Sequence, residues 1–205
     1  MKRIILPILF ALFHLTGHAQ LSEQMIIEEI NKAASQFSSM QCDFVQTKEL
    51  NLLNDKLISK GRMYYQQANK LRWEYISPYT YTFKLNGAKV VLRKKERNDV
   101  IDVNQNRMFR EIVHIMMSSV VGKCLSDTKS FKTSIKDADT EWVATLVPQT
   151  KEMKQMFTRI ILHFDKRQSV VVRVEMCEKN GDNTEISLTN IKKNQQIDAK
   201  VFSLD

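Results

Sequence analysis

Over residues 56–66, Leu57, Ser59, Gly61, Met63 and Tyr65 fall on one side of the chain and Ile58, Lys60, Arg62, Tyr64 and Gln66 on the other, the two-residue period of a strand. Ala68, Asn69 and Lys70 read as a turn. The alternation then resumes with Leu71, Trp73 and Tyr75 opposite Arg72, Glu74 and Ile76, until Pro78, which has no N–H to give to a ladder, stops it. The two runs predict an antiparallel hairpin with one aromatic, apolar face. Further strands are predicted over 41–50, 79–85, 89–94 and 100–103, and Asn86-Gly87 is the strongest short hairpin signal in the chain.

Ser22 is placed to cap a helix over 22–39 whose apolar positions Ile26, Ile30, Ala33 and Phe37 share one face. From 106 to 121 the period changes. Met108, Phe109, Ile112, Val113, Ile115, Met116, Met117, Val120 and Val121 recur at helical spacing but spread far round the axis, so this helix is too apolar to face water, and Gly122 can end it. Strands follow over 131–136, 141–147, 157–164, 170–177 and 184–190, with Pro148 stopping the second. A short helix is predicted over 151–156, a tight turn at Asn180-Gly181, and a tail over 194–202 that packs back on the sheet. About ten or eleven antiparallel strands are too many for a flat sheet to carry without curling. The fold class is α+β, mainly antiparallel β: an incomplete, half-open β-barrel with two or three helices covering its concave apolar side.

The first nineteen residues read as a targeting segment: Lys2 and Arg3, an apolar run from Ile4 to Leu15, then small residues at Gly17 and Ala19 with cleavage before Gln20. About twelve apolar residues are too few to cross roughly 30 Å of hydrocarbon as a helix. With no cysteine at the cleavage point, the protein is not expected to be lipidated. The remainder, residues 20–205, is long enough for one domain with a sizeable core. An exported chain is a poor fit to functions that need ATP or nucleic acid. The formal charge of +8 becomes +6 once Lys2 and Arg3 leave, and its densest run, Arg93-Lys94-Lys95-Glu96-Arg97, falls where a hairpin turns, so it reads first as a solvated turn and second as a membrane-surface or partner contact. Cys42, Cys124 and Cys177 allow at most one disulfide; they show no zinc or redox spacing and read as buried free thiols.

Candidate chemistry is sparse. His114 and His163 are the only histidines past the leader, and Asp137 and Asp139 lie in a polar turn. No metal-ligand spacing, nucleophile elbow or phosphate-binding glycine loop accompanies them. No enzyme activity, metal or cofactor is expected. What stands out is apolar surface of an adaptable kind: Met108, Met116 and Met117 on one helix, Met153 and Met156 on the next, and Trp73, Tyr75, Phe83 and Trp142 on strands. These side chains serve either as ordinary core or as a site whose unbranched thioethers repack around flexible acyl chains.

Leu71-Arg72-Trp73-Glu74-Tyr75 followed by Pro78 resembles the signature of the outer-membrane lipoprotein carrier protein (LolA) family, in which a Phe-Arg-Trp triplet sits in the same strand. Phe44-Val45-Gln46, Gly61, and the closing Asn190, Ile197 and Phe202 match its other landmarks in order and spacing. Leu71 replaces the usual aromatic, and the Arg-Pro often found upstream of the triplet is absent.

The resemblance implies an incomplete barrel with a helical lid over an apolar cavity. It also implies a periplasmic carrier that takes acylated lipoproteins from an inner-membrane ABC transporter to an outer-membrane acceptor, acting as a monomer without cofactor or nucleic acid. On that reading the acyl-chain cavity comprises Phe44, Met63, Tyr65, Leu71, Trp73, Tyr75, Phe83, Leu85, Met108, Phe109, Ile112, Met116, Met117, Trp142 and Leu162. Arg72 would be the lid latch, its fixed donors suiting backbone carbonyls at a helix end. The strand alternation sets Arg72 opposite Trp73, so such a latch needs a twist or bulge there. A carrier of another lipid, such as a glycolipid or a polyketide-like product, and a regulatory sensor that binds lipoproteins are the alternative readings.

Overall fold

The computed structural model describes residues 22–204 apart from 68, 95, 96, 106 and 121, and the side chains of 107–109, 111 and 112 also fall outside the description. The leader predicted over 1–19 lies outside the described residues. Helix α1 (Glu23–Ser35) is capped by Ser22, whose hydroxyl accepts from the Met25 N–H. It is followed by β1 (Ser39–Leu50), β2 (Asp55–Gln66), β3 (Lys70–Ser77), β4 (Tyr81–Asn86), β5 (Lys89–Lys94) and β6 (Arg97–Asp102). Helix α2 (Arg107–Val120) separates these from β7 (Phe131–Asp137), β8 (Glu141–Pro148), α3 (Lys151–Met156), β9 (Phe157–Asp165), β10 (Val170–Glu178) and β11 (Asn183–Lys193).

All the strands belong to one sheet in the order β6-β5-β4-β3-β2-β1-β11-β10-β9-β8-β7. Two meanders are therefore welded at their centre by the antiparallel pairing of β1 with β11, and the outer edges are β6 and β7. These edge strands are consecutive in sequence, so the chain between them, which carries α2, must pass from one edge of the sheet to the other. Laid flat, eleven strands would be roughly 48 Å across at about 4.8 Å each, whereas α2 is roughly 21 Å long at about 1.5 Å per residue. The sheet is curved and not closed, the half-open barrel predicted from strand number.

The alternation in the strands becomes two faces. On β2, Ser59, Gly61, Met63 and Tyr65 are buried on the concave side, and on β9 the inward set is Ile160, Leu162 and Phe164. Two apolar clusters result. One gathers Phe44, Met63, Leu71, Phe83, Leu85 and Leu188 under the first meander and the sheet centre; the other packs Ile26 and Ile30 of α1 on Trp142, Leu146, Leu162 and Phe164 of the second meander.

Helix α1 is shorter than its periodicity predicts. Gln36 caps it, and Ser38 turns away because its N–H and hydroxyl both reach the Asn194 side chain while its carbonyl accepts from the Gln67 N–H. The buried face consequently uses Ala34 rather than Ala33, and Phe37 packs against Tyr65 from beyond the helix end. Gly122 ends the α2 region with φ +77, and a Cβ there would meet Ile30 at 2.5 Å, so the same glycine lets α1 approach.

Gly61 is required for a different reason. A Cβ built on it would overlap both the Glu74 carbonyl oxygen and the Phe44 ring. Phe44 is its partner in the β1–β2 register, and the β2–β3 register shifts between Lys60 and Gly61. The bare glycine lets the Phe44 ring lie along the sheet.

Gly61→Ala therefore forces either the ring or the Glu74 backbone to move and is expected to destabilise the protein by about 1–3 kcal/mol, measured by chemical denaturation. Cys42 and Cys124 are free and buried, and burial pushes both thiols up to about 12. In the native protein a thiol reagent at mildly alkaline pH should modify only the partly exposed Cys177, and all three after unfolding.

Candidate functional site

The two clusters do not meet completely. At the seam between them, beneath α2, lies an apolar cavity of about 300 Å³. Met63, Leu71, Trp73, Tyr75, Tyr81 and Phe83 form the wall from the first meander. Ile160, Val171, Val174, Met176, Ile186 and Leu188 form the opposite wall, and Ile115, Met116, Ser119 and Val120 of α2 the cover. Among the described residues, the only polar side chains on its surface apart from the tyrosines are Gln46 and Ser119. The Tyr75 hydroxyl donates to Gln46 Oε1 at 2.8 Å, and burial pushes the Tyr75 phenol up. With no ionised group among these wall residues, the cavity offers a guest contact with hydrocarbon and aromatic faces.

Its aromatic wall is held from behind. Phe44 stacks on Trp73 at 4.4 Å and meets Tyr75 edge-on at 5.2 Å, so the ring that Gly61 accommodates fixes both indole and phenol. Tyr75 in turn lies near Tyr79 and Tyr81. α2 serves as a cover because its apolar positions surround much of the axis: Ile115 packs toward the second cluster while Val113, Met116 and Met117 pack toward the first.

Of the residues assigned to the cavity from sequence, Met63, Leu71, Trp73, Tyr75, Phe83 and Met116 line it. Phe44 and Leu85 lie in the cluster behind the wall. Trp142 and Leu162 are corrections: both face the concave side but are filled in by α1 within the second cluster, away from the cavity. Tyr65 and Met117 are displaced to a shallow groove at the end of α2, beside Gln67, His114 and Asp127. The side chains of Met108, Phe109 and Ile112 lie outside the described residues. Sequence reasoning missed the wall formed by Ile160, Val171, Val174, Met176, Ile186 and Leu188; their strands were recognised, but aliphatic residues on a buried face look alike whether they abut a neighbour or a void.

Arg72 lies away from the cover. The β2–β3 bulge falls at Gly61, too far along to rotate it inward, so Arg72 remains on the convex face. There it donates to Glu74 Oε1 at 2.8 Å and to the Val201 carbonyl at 3.5 Å, in the C-terminal 3-10 turn Ala199–Phe202. Lys84 and Asn86 bond the neighbouring carbonyls of Ser203 and Phe202, and Phe202 is wholly buried. The predicted packing of the tail is realised on the outside of β3 and β4, where Arg72 ties down the tail rather than the cover. The Gln67 side-chain amide, in the β2–β3 turn, donates to the Phe37 carbonyl just past α1. His114 pairs with Asp127, and His163 lies between Glu141 and Glu175 on the outward side of β9, both away from the cavity.

Residues 35–205 match the family described as outer membrane lipoprotein carrier protein LolA. An outer-membrane lipoprotein carrier protein of Pseudomonas fluorescens (strain Pf0-1) is 24% identical over 207 residues, covering 99% of this chain and 93% of the relative. One from Legionella pneumophila (strain Lens) is 24% identical over 205 residues, covering 100% and 95%. Among solved structures, a chain in the MucA/MucB complex of Pseudomonas aeruginosa superposes with a TM-score of 0.53 at 10% identity, over 89% of this chain and 61% of that one, a likeness of fold. The family consists of carriers rather than enzymes. Since the matched stretch contains every strand of the sheet and the whole cavity wall, the chain belongs to the LolA family of outer membrane lipoprotein carrier proteins.

Proposed function

We propose that this chain, exported on the leader 1–19, carries acylated lipoproteins through the periplasm from an inner-membrane ABC transporter to an outer-membrane acceptor, holding their acyl chains in the cavity under α2. The observation that carries this reading is an apolar void, lined by Met63, Trp73, Met116 and Met176 with no charged side chain among its described wall residues, in a chain of this family.

The energetics fit a carrier. Each acyl methylene leaving water gains about 0.8 kcal/mol, so a chain of roughly 16 carbons gains about 12 kcal/mol. A site that recovered all of this with nothing to offset it would not release its cargo. The cavity, about 300 Å³, is at the small end of ligand pockets, roughly 300–1,000 Å³. A long chain enters by lifting Ile115 and Met116 from the sheet, and the cost of parting those side chains from their neighbours offsets some of the gain. Reclosing of α2 then helps to expel the guest.

Val174→Trp, which fills the void, and Met116→Glu, which puts a carboxylate on its cover, should each lower binding of a fluorescent fatty-acyl probe by about tenfold or more, with folding checked by circular dichroism. Probe binding unchanged in both would sink the cavity reading. Mass spectrometry of the protein taken from its own periplasm should find acylated lipoprotein; a glycolipid would turn the assignment to a different cargo.

Arg72→Leu should cost about 1–2 kcal/mol of stability through loss of the hydrogen bonds to the tail, and leave both probe loading and release as in the wild type. A release defect at unchanged stability would restore a latch role to Arg72.

A further inference from the structure

We infer that the β1–β2 hairpin is a bilayer-contacting tip that touches lipid directly, independent of any receptor. Its apex carries Leu52, 89% exposed, and Leu53, 71% exposed, the two most exposed large apolar side chains among the described residues. Just below, Leu57 on the concave face is 47% exposed and Ile58 on the convex face is 55% exposed. A surface made to receive another protein is apolar on the one side the partner covers. This end of the hairpin is apolar at its apex and on both faces, which suits an element surrounded by its medium.

Several of the polar groups around the tip are paired. Lys56 pairs with Glu49 at 2.6 Å and Lys48 with Glu178 at 2.8 Å, while Asp55 accepts from the Lys56 N–H. The Leu53 N–H is bonded to the Leu50 carbonyl and the Asn51 N–H to Asp182. Paired charges of both signs give little net pull on an acidic or a basic protein, and bonded backbone N–H groups lower the cost of entering the headgroup region. The Asn51 side chain also rests on Gly181 of the β10–β11 turn, so a second hairpin braces the tip in one orientation. Two leucines at the apex can reach the acyl boundary while Asn54, Asp55 and Lys56 stay among headgroups.

The tip is aligned with the cavity. Leu57 lies two residues before Ser59 on the concave side of β2, the Ser59 hydroxyl is 3.4 Å from the Tyr79 hydroxyl, and Tyr79 neighbours Tyr75 in the cavity wall. A bilayer touched by Leu52 and Leu53 would thus lie at the tyrosine end, opposite the end where Met117 and His114 form their groove. The contact itself stands on the hairpin alone; its use in handing an acyl chain between bilayer and cavity rests on the carrier reading.

The test is sedimentation of the full mature protein, free of cargo, with neutral phosphatidylcholine/phosphatidylethanolamine vesicles and with vesicles containing phosphatidylglycerol. The wild type should bind both and hold on at high salt, and the double variant Leu52→Glu/Leu53→Glu should lose about tenfold or more of its partitioning, with an unchanged unfolding midpoint because both side chains are exposed. Leu53→Trp should shift its emission to the blue on adding vesicles. Failure of the wild type to bind vesicles, equal binding by the double variant, or binding that needs phosphatidylglycerol and vanishes with salt would overturn the proposal; the last would assign the contact to the basic surface. Fatty-acyl probe loading without vesicles separates the two readings, since the double variant should load normally whatever the hairpin does.

Discussion

The pairing of β1 with β11 is the constraint on which the rest of this structure depends. It joins strands nearly the whole chain apart and places the two meanders back to back, which sends β6 and β7 to opposite edges of one sheet. Because those edges are consecutive in sequence, one connection runs between them; here α2 takes it over the concave face, and a helix packed there is apolar round much of its circumference. The composition of α2, the curl of the sheet and the sheltered space beneath the helix follow from one ladder of backbone hydrogen bonds.

That space stays open because its two walls are finished separately. Behind the first wall, the Phe44 ring, made possible by Gly61, locks Trp73 and Tyr75 in place. On the other side α1 fills the concavity over Trp142 and Leu162. Side chains braced from behind cannot collapse into a void before them, and this is how an interior that would ordinarily be filled keeps room for a guest.

Much of the fold was legible in the chain. Alternation located the strands to within a few residues, Asn86-Gly87 and Asn180-Gly181 marked turns, and the shift to helical spacing near residue 106 marked the one segment that had to cover the sheet. Parity also placed Arg72 opposite Trp73, and the structure keeps it on that face, bonded to Glu74 and the tail. What could not be read was which buried residues on the concave side face a void. Trp142 and Trp73 have the same kind of pattern, and only the distant placement of α1 over one and α2 over the other separates core from cavity. Two apolar residues in a short turn, Leu52 and Leu53, carry no period; their exposure is a fact of tertiary structure.

The same central ladder governs how the molecule is made. Each meander is built from neighbours in sequence and can zip locally, whereas β1 must wait until residues 183–193 have arrived before its second edge is covered. While the chain is being made, the amino-terminal half consequently spends its first moments with an open strand edge and an unroofed greasy face. Synthesis of this chain thus poses, for a brief interval, the same shielding problem that the finished protein is proposed to solve for its cargo.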